Sequence, residues 1–298
     1  MAPSVLIIGA SGVVGRPLVQ EFLKNKSSFA SIAVLSDPTK VSRFTEVQSQ
    51  GVKLVIGSFL EASSYKGFDT VISLAGNATF KLQPGIIDAA IAGGVRHFYP
   101  SEFGADLSYG KNGKKRYFRD KIATREHLRD RAREVPGFAY TLLMTGGFTE
   151  FTAHEFGGVD LEKHTITTYG TPDAQITVTA MPDIMRYIVQ SVLLPLEPGQ
   201  SSRELRVAGE TLTWGALMKT LEEVQGVRYD ATYLDPRIAA EKEEAARVAG
   251  DHEAEILWSS KALFATGTAY GPGPFDNARF SFAPESARET MERLFGKK

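Results

Sequence analysis

An α/β fold built on a doubly wound parallel sheet, followed by a smaller mixed α/β region, is predicted by three observations. Residues 5–8 form a short apolar run that suits a buried parallel strand. Gly9, Gly12 and Gly15 follow at G-x-x-G-x-x-G spacing, and Leu18, Val19, Phe22 and Leu23 then fall on one face of a helix. Strand-like and helix-like segments alternate from there to about residue 150.

Strand, glycine turn and helix in that order are the context in which a glycine triplet signals a dinucleotide site. Gly9 lets the chain turn sharply off the strand. Gly12 lacks the Cβ that would hold the backbone away from a pyrophosphate, and Gly15 lets the helix pack close. Ala10, Ser11, Val13 and Val14 complete the turn. Its free amides and the helix dipole are expected to face the phosphates.

The later elements follow the same rhythm. Strands are predicted at 31–35, 53–56, 69–76, 95–99 and 138–144, and helices at 41–50, 86–91 and 115–133. Gly93-Gly94 stops one helix and Pro100 ends one strand. The second half is less regular. Short strands at 165–168 and 175–179 flank a Gly-Thr-Pro-Asp turn, and Asp183 caps a helix running to 192. An amphipathic helix is expected at 214–224, a charged helix at 239–256 and a closing helix at 286–295. The domain boundary is placed near 150: residues 1–150 form the dinucleotide-binding domain and 151–298 the substrate domain, with some segments returning to the sheet.

Ligands of such sheets bind beyond the carboxyl ends of the strands, so the residues just after each strand are the site candidates. After the second strand come Ser36, Asp37, Lys40 and Arg43. An acidic residue here bonds ribose hydroxyls, whereas basic ones accept a 2′-phosphate. Asp37 before Pro38 is also ordinary turn chemistry, so the choice stays open, with the phosphorylated cofactor favoured. After the fourth strand come Ala75, Gly76 and Asn77, where backbone can approach a cofactor. The fifth is followed by Tyr99-Pro100-Ser101-Glu102-Phe103-Gly104, and Lys121 lies twenty residues beyond Ser101. On a continuous helix Tyr117, Lys121 and Arg125 share one face. A lysine near a nicotinamide can pass a proton to a substrate being reduced, and a nearby arginine lowers its pKa. Residues 111–134 hold ten Lys or Arg and four Asp or Glu, and a lysine in such surroundings is ordinarily a solvated surface group.

Composition narrows the function classes. A net charge of −1 gives no overall pull toward nucleic acid or an anionic membrane. The absence of cysteine removes disulfides, thiolate catalysis and thiolate metal sites. The five histidines show no ligand spacing, so no metal is expected, and no Gly-x-Ser-x-Gly elbow is present. Only four residues precede the first strand and no apolar run approaches a membrane span, so a cytoplasmic protein is expected.

The run Gly-Ala-Ser-Gly-Val-Val-Gly, then Asp69-Thr70-Val71-Ile72-Ser73, Pro100-Ser101-Glu102-Phe103-Gly104, Lys121, Arg125 and Tyr140-Thr141 together resemble the isoflavone reductase-like and NmrA-like group. These are atypical relatives of the short-chain dehydrogenase/reductases. The resemblance covers residues 5–150 well and the remainder more loosely. It implies a Rossmann-type domain that binds NADP(H), Asp37 leaving NAD(H) open. It also implies a smaller substrate domain and Lys121 as the proton-transfer or cofactor-positioning residue, with Arg125 beside it. Lys40 matches the second basic residue of the family's 2′-phosphate site. Three positions depart from the pattern. Leu35-Ser36 stands where an arginine is usual, and Ser58 where related enzymes often have aspartate. Tyr117 recreates the Tyr-x-x-x-Lys pair of ordinary short-chain dehydrogenases.

The expected activity is that of an oxidoreductase of secondary metabolism, delivering hydride from NADPH to a conjugated or aromatic small molecule. Lys121, or Tyr117 assisted by it, supplies the proton. The segment Ser101-Glu102-Phe103 is expected at the nicotinamide, facing Lys121, and Phe80, Arg125, Met144, Gly147, Phe148 and Phe151 at the substrate. The alternatives are an NmrA-like regulator that senses the dinucleotide without turnover and a non-redox biosynthetic enzyme on the same fold. Oligomeric state is left open.

Overall fold

The computed structural model describes residues 2–76 and 79–296. Its chain falls into two compact units. The first comprises Met1–Glu102, Asp120–Leu143 and Met185–Leu205; the second comprises Phe103–Arg119, Met144–Ile184 and Arg206–Lys298. The chain therefore passes between units several times; the sequence reading, with its boundary near 150, expects segments of the second half to return to the sheet but not residues 103–119 to leave the first unit. A strand and part of a helix from the second half complete the first unit.

That unit is a seven-stranded sheet covered by helices. Its strands are β1 (Ser4–Ile8), β2 (Ser31–Ser36), β3 (Lys53–Ile56), β4 (Thr70–Ser73), β5 (His97–Tyr99), β6 (Ala139–Met144) and β11 (Ser202–Arg206), in the order β11-β6-β5-β4-β1-β2-β3. β1 through β6 pair in parallel, with Val5 opposite Ile32 and Ile7 opposite Ile72. Val5, Leu6, Ile7, Val71, Ile72 and Phe98 are fully buried, as strands covered on both faces require. Strand order reverses between β1 and β4, and the crevice at such a reversal is where open α/β sheets bind ligands.

Helices α1 (Gly15–Lys24), α2 (Thr45–Ser49), α3 (Gln83–Ala92) and α4 (Arg119–Glu134) complete the Rossmann-type part. Two differ from the sequence reading. The helix expected at 41–50 is a 3-10 segment, Pro38–Phe44, followed by the short α2. Asp37 caps it through Thr39 and Pro38 starts it, and this turn chemistry uses up the residues that an α-helix would need. The helix expected at 115–133 starts only at Arg119, because Lys115 is extended (φ −74°, ψ 137°) and 3-10 turns occupy Asn112–Lys114 and Arg116–Phe118.

Arg203 brings β11 into the sheet. Its guanidinium is buried and donates to Thr141 Oγ1 (3.2 Å), Tyr99 OH (2.8 Å) and the carbonyls of Ser191 (2.8 Å) and Leu194 (2.9 Å). The neighbouring His97, 2.8 Å from Thr141 Oγ1, is pushed down to about 3 by burial and, secondarily, by the Arg203 charge. An unfolded chain binds a proton at this histidine near 6.5, so the native state is disfavoured wherever only the unfolded state is protonated. Stability is expected to fall as pH drops from about 6.5 toward about 3, and His97→Gln to flatten that part of the curve. Urea unfolding midpoints across this range measure both.

The second unit holds two three-stranded sheets. One has the order β12 (Glu210–Thr213), β10 (Gln175–Thr179), β7 (Gly147–Phe148); the other β13 (Asp230–Leu234), β9 (Thr165–Tyr169), β8 (Val159–Asp160). β9 and β10, neighbours in sequence across the Gly-Thr-Pro-Asp turn, thus join different sheets. Around them lie α5 (Thr149–Thr152), the start of α6 (Met181–Leu193), α7 (Trp214–Gln225), α8 (Pro236–Ala249), α9 (His252–Lys261) and α10 (Ala287–Phe295). The single helix expected at 239–256 is two helices. Gly250 leaves α8 at φ +73°, and the Asp251 carboxylate caps α9 through Ala254 N–H. Asp183 lies inside the first turn of α6 rather than capping it, fully buried, and accepts the Glu285 N–H.

Candidate functional site

At the reversal of strand order the glycine turn leaves β1 directly beside the end of β4, where Leu74 N–H donates to Ile8 O (3.0 Å). Gly9 has φ +82°, and a Cβ there would lie 2.7 Å from Leu74 O, so glycine is required twice over. A Cβ on Gly15 would lie 2.3 Å from Gly9 O and 2.6 Å from Ala10 Cα, so Gly15 seats the helix on its own turn. Gly12 is different. It is exposed, and a Cβ would meet only Gly9 O, at 3.3 Å. Ala10 is buried, Ser11 and Val14 are half-buried, and Val13 is 71% exposed. No side chain caps α1; in its first turn Arg16 N–H donates to Gly12 O (3.1 Å), Leu18 N–H donates to Val14 O (3.3 Å), and Pro17 has no N–H. The exposed Gly12 leaves the backbone before the helix open to close approach.

Beyond β2, Ser36 is buried and donates its hydroxyl to Asp37 O (2.9 Å). Asp37 Oδ1 accepts the Thr39 hydroxyl (2.5 Å) and Thr39 N–H (2.8 Å), a turn role, and these two bonds, the hydroxyl's foremost, hold its carboxyl below the usual range. Lys40 and Arg43 are both exposed on the 3-10 segment. Beyond β4, Ala75 is buried and Gly76 exposed, with open space where a Cβ would stand; Asn77 lies outside the described residues. Ser101, after β5, ties two strand ends together: its hydroxyl donates to Ala75 O (2.8 Å), and its N–H donates to Gln83 Oε1 (2.9 Å). Gln83, which the sequence reading missed, is fully buried, and among the described residues its Nε2 has no hydrogen-bond partner.

Lys121 is not the solvated lysine that its charged helix suggests. It is 8% exposed, its Nζ donates to Glu102 O (2.6 Å), and the Phe80 ring lies 5.3 Å away. Burial lowers its pKa, the Glu102 charge raises it and the Arg125 charge lowers it. Arg125, one helical turn on, is expected at the substrate but sits 4% exposed with its guanidinium clamped on Glu102: Nε to Oε1 at 2.9 Å and Nη2 to Oε2 at 2.8 Å. Glu102 is likewise buried. The sequence reading places Glu102 only within the segment at the nicotinamide and misses the ion pair, although Lys121 and Arg125 at i, i+4 spacing on one face hint at a shared acceptor.

Tyr117 does not continue that face. It lies in the 3-10 turn before α4, within the second unit, where its N–H donates to Ser259 Oγ (3.0 Å) and its ring contacts Phe118 and Phe156. The Tyr-x-x-x-Lys spacing therefore lacks the continuous helix on which its usual geometry depends. Phe103 is buried at φ 20°. Also in the second unit, Phe148 and Phe151 stack at 5.1 Å, and Gly147 is held where a Cβ would press on Phe264 and Thr152. Met144 is buried beside Val207 and Phe275 at a small cavity. Among the described residues no group of three His, Cys, Asp or Glu could hold a metal, and no helix is long and apolar enough to cross a membrane.

Fold and strand-end residues together define a Rossmann-type α/β protein with a glycine turn before its first helix and a buried lysine. The model of the NmrA-like family matches residues 1–285, and the chain belongs to that family. It is 27% identical to the oxidoreductase aprR of Aspergillus flavus over 255 residues, covering 85% of this chain and 82% of that protein. It is 29% identical to isoflavone reductase homolog P3 of Arabidopsis thaliana over 247 residues, 77% of each chain. Among solved structures, AtPrR2 with NADP+ and (+)pinoresinol superposes with a TM-score of 0.76 at 19% identity, covering 99% of both chains. An isoflavone reductase crystal structure gives a TM-score of 0.76 at 21% identity, covering 99% of this chain and 100% of that one. These structural likenesses establish the shared fold.

Proposed function

We propose that the protein is an NADPH-dependent reductase that delivers hydride to a conjugated or aromatic small molecule, with Lys121 supplying the proton. The observation that carries this reading is Lys121 itself, a lysine withdrawn from solvent and held by a main-chain carbonyl at the strand-end edge of the first unit. A surface lysine has no reason to be desolvated, whereas a proton donor gains from a lowered pKa. The glycine turn fits a dinucleotide diphosphate, and Lys40 and Arg43 suit a 2′-phosphate. When bound, the cofactor would supply the hydride; the chain orients it and holds the proton.

The names of the relatives support the same class: an oxidoreductase and an isoflavone reductase homologue in sequence, and an isoflavone reductase and AtPrR2 with NADP+ and (+)pinoresinol in fold. NADPH consumption, followed near ~340 nm against enones, isoflavonoids and propenyl phenols, tests the proposal. Turnover of at least one class is expected. NADPH binding without oxidation across the panel would favour a dinucleotide-sensing regulator.

A further inference from the structure

The reading of Lys121 as proton donor leaves a buried ion pair beside it unexplained. Glu102 and Arg125 are both withdrawn from water, and their pairing is bidentate, the geometry that fixes a carboxylate in orientation as well as position. Glu102 serves two partners at once. Its side chain meets Arg125, while its main-chain carbonyl receives the Lys121 ammonium at 2.6 Å. Arg125 is one turn from Lys121 on α4, so helix and strand-end segment are stapled at two points four residues apart. A buried ion pair is costly to form, and an apolar pair of like volume often serves stability as well, so stability alone accounts poorly for it.

We propose that Glu102 and Arg125 are positioning residues for Lys121: their ion pair fixes the carbonyl that aims the lysine ammonium and sets the charge around it. The inference rests on Lys121 being the proton donor. Among the described residues the charged groups acting on Lys121 are Glu102, from the segment after β5, and Arg125, from its own helix; the Phe80 ring, uncharged, faces it from the turn before α3. The two charges act in opposite senses. The carboxylate favours the ammonium and the guanidinium opposes it, on top of the lowering by burial.

The test is a pH titration of Lys121 in cofactor-free protein, read from the lysine ¹³Cε resonance and assigned by its loss in Lys121→Arg. Glu102→Gln is expected to move the midpoint down and Arg125→Gln to move it up. Arg125→Lys, which keeps the charge but loses the fork, is expected to stay nearer the parent midpoint, with a lower kcat and an unchanged KM for NADPH. Midpoints that move in the same direction in both glutamine variants, or that do not move, would overturn the proposal, as would unchanged kcat in Arg125→Lys. If Arg125→Gln does not fold, Glu102→Gln and Arg125→Lys decide alone: a static or rising midpoint in the first refutes the proposal. Failure of NADPH turnover in the parent protein would overturn the reductase reading separately, since the titration needs no cofactor.

Discussion

Lys121→Ala is expected to lower kcat by about 10²–10⁴-fold, the usual contribution of a positioned proton donor, while NADPH affinity changes far less. The side chain is buried against the Phe80 ring and the Glu102 carbonyl, so the deletion removes the proposed proton source and leaves the glycine turn untouched. A donor must carry its proton. Activity is therefore expected to be full below the Lys121 pKa and to fall as pH rises through it. Burial sets that pKa below the ordinary 10.5, so the alkaline limb should lie on the acid side of an exposed lysine's titration. A parallel profile for Tyr117→Phe tests the alternative donor. Tyr117 lies off α4, and the account expects its removal to leave the alkaline limb in place. Turnover that survives Lys121→Ala would remove this residue from the chemistry.

The second large effect separates two glycines that look equivalent in the sequence. Gly15→Ala places a methyl 2.3 Å from one backbone atom and 2.6 Å from another, neither of which can swing aside. Overpacking of this kind costs about 1–3 kcal/mol, and in a chain of this size each kcal/mol lowers Tm by roughly 2–4 °C. Gly12→Ala meets Gly9 O at 3.3 Å, a tight contact relieved by a backbone shift of a few tenths of an ångström, so its cost to the fold should be well below that of Gly15→Ala. Its methyl would instead project from the exposed turn where the diphosphate is proposed to lie. The expected result is an NADPH Kd raised about tenfold or more, which corresponds to ~1.4 kcal/mol. Melting curves and calorimetric titration of the two variants distinguish a fold defect from a binding defect. A Gly12→Ala protein that binds NADPH like the parent would leave the turn without its proposed ligand.

Much of the first unit is legible in the chain because its signals are local. An apolar strand, three glycines and an amphipathic helix name β1, its turn and α1, and parallel strands buried on both faces show as apolar runs. β11 gives no such signal. Its inward residues are Arg203 and Leu205, and a buried arginine satisfied by a tyrosine, a threonine and helix-end carbonyls reads in sequence as a surface strand. The break at Gly250-Asp251 was readable as a left-handed exit followed by a carboxylate cap, but high helix propensity on both sides masks it. At the site, Lys121 was found by its distance from the Pro-Ser-Glu-Phe-Gly run. Its burial was not, because nine neighbouring basic residues predict a solvated face. Glu102 and Gln83 act through tertiary contacts, 23 and 18 residues away in sequence, that no periodicity announces.

The central claim is that this chain holds a phosphorylated nicotinamide dinucleotide by its first helix and sets Lys121 to donate a proton beside it. Isothermal titration of the purified protein with NADPH tests this most directly. One saturable site per chain, weakened in Gly12→Ala and retained in Lys121→Ala, is the expected result. No heat and no saturation with NADPH or NADH would contradict the account.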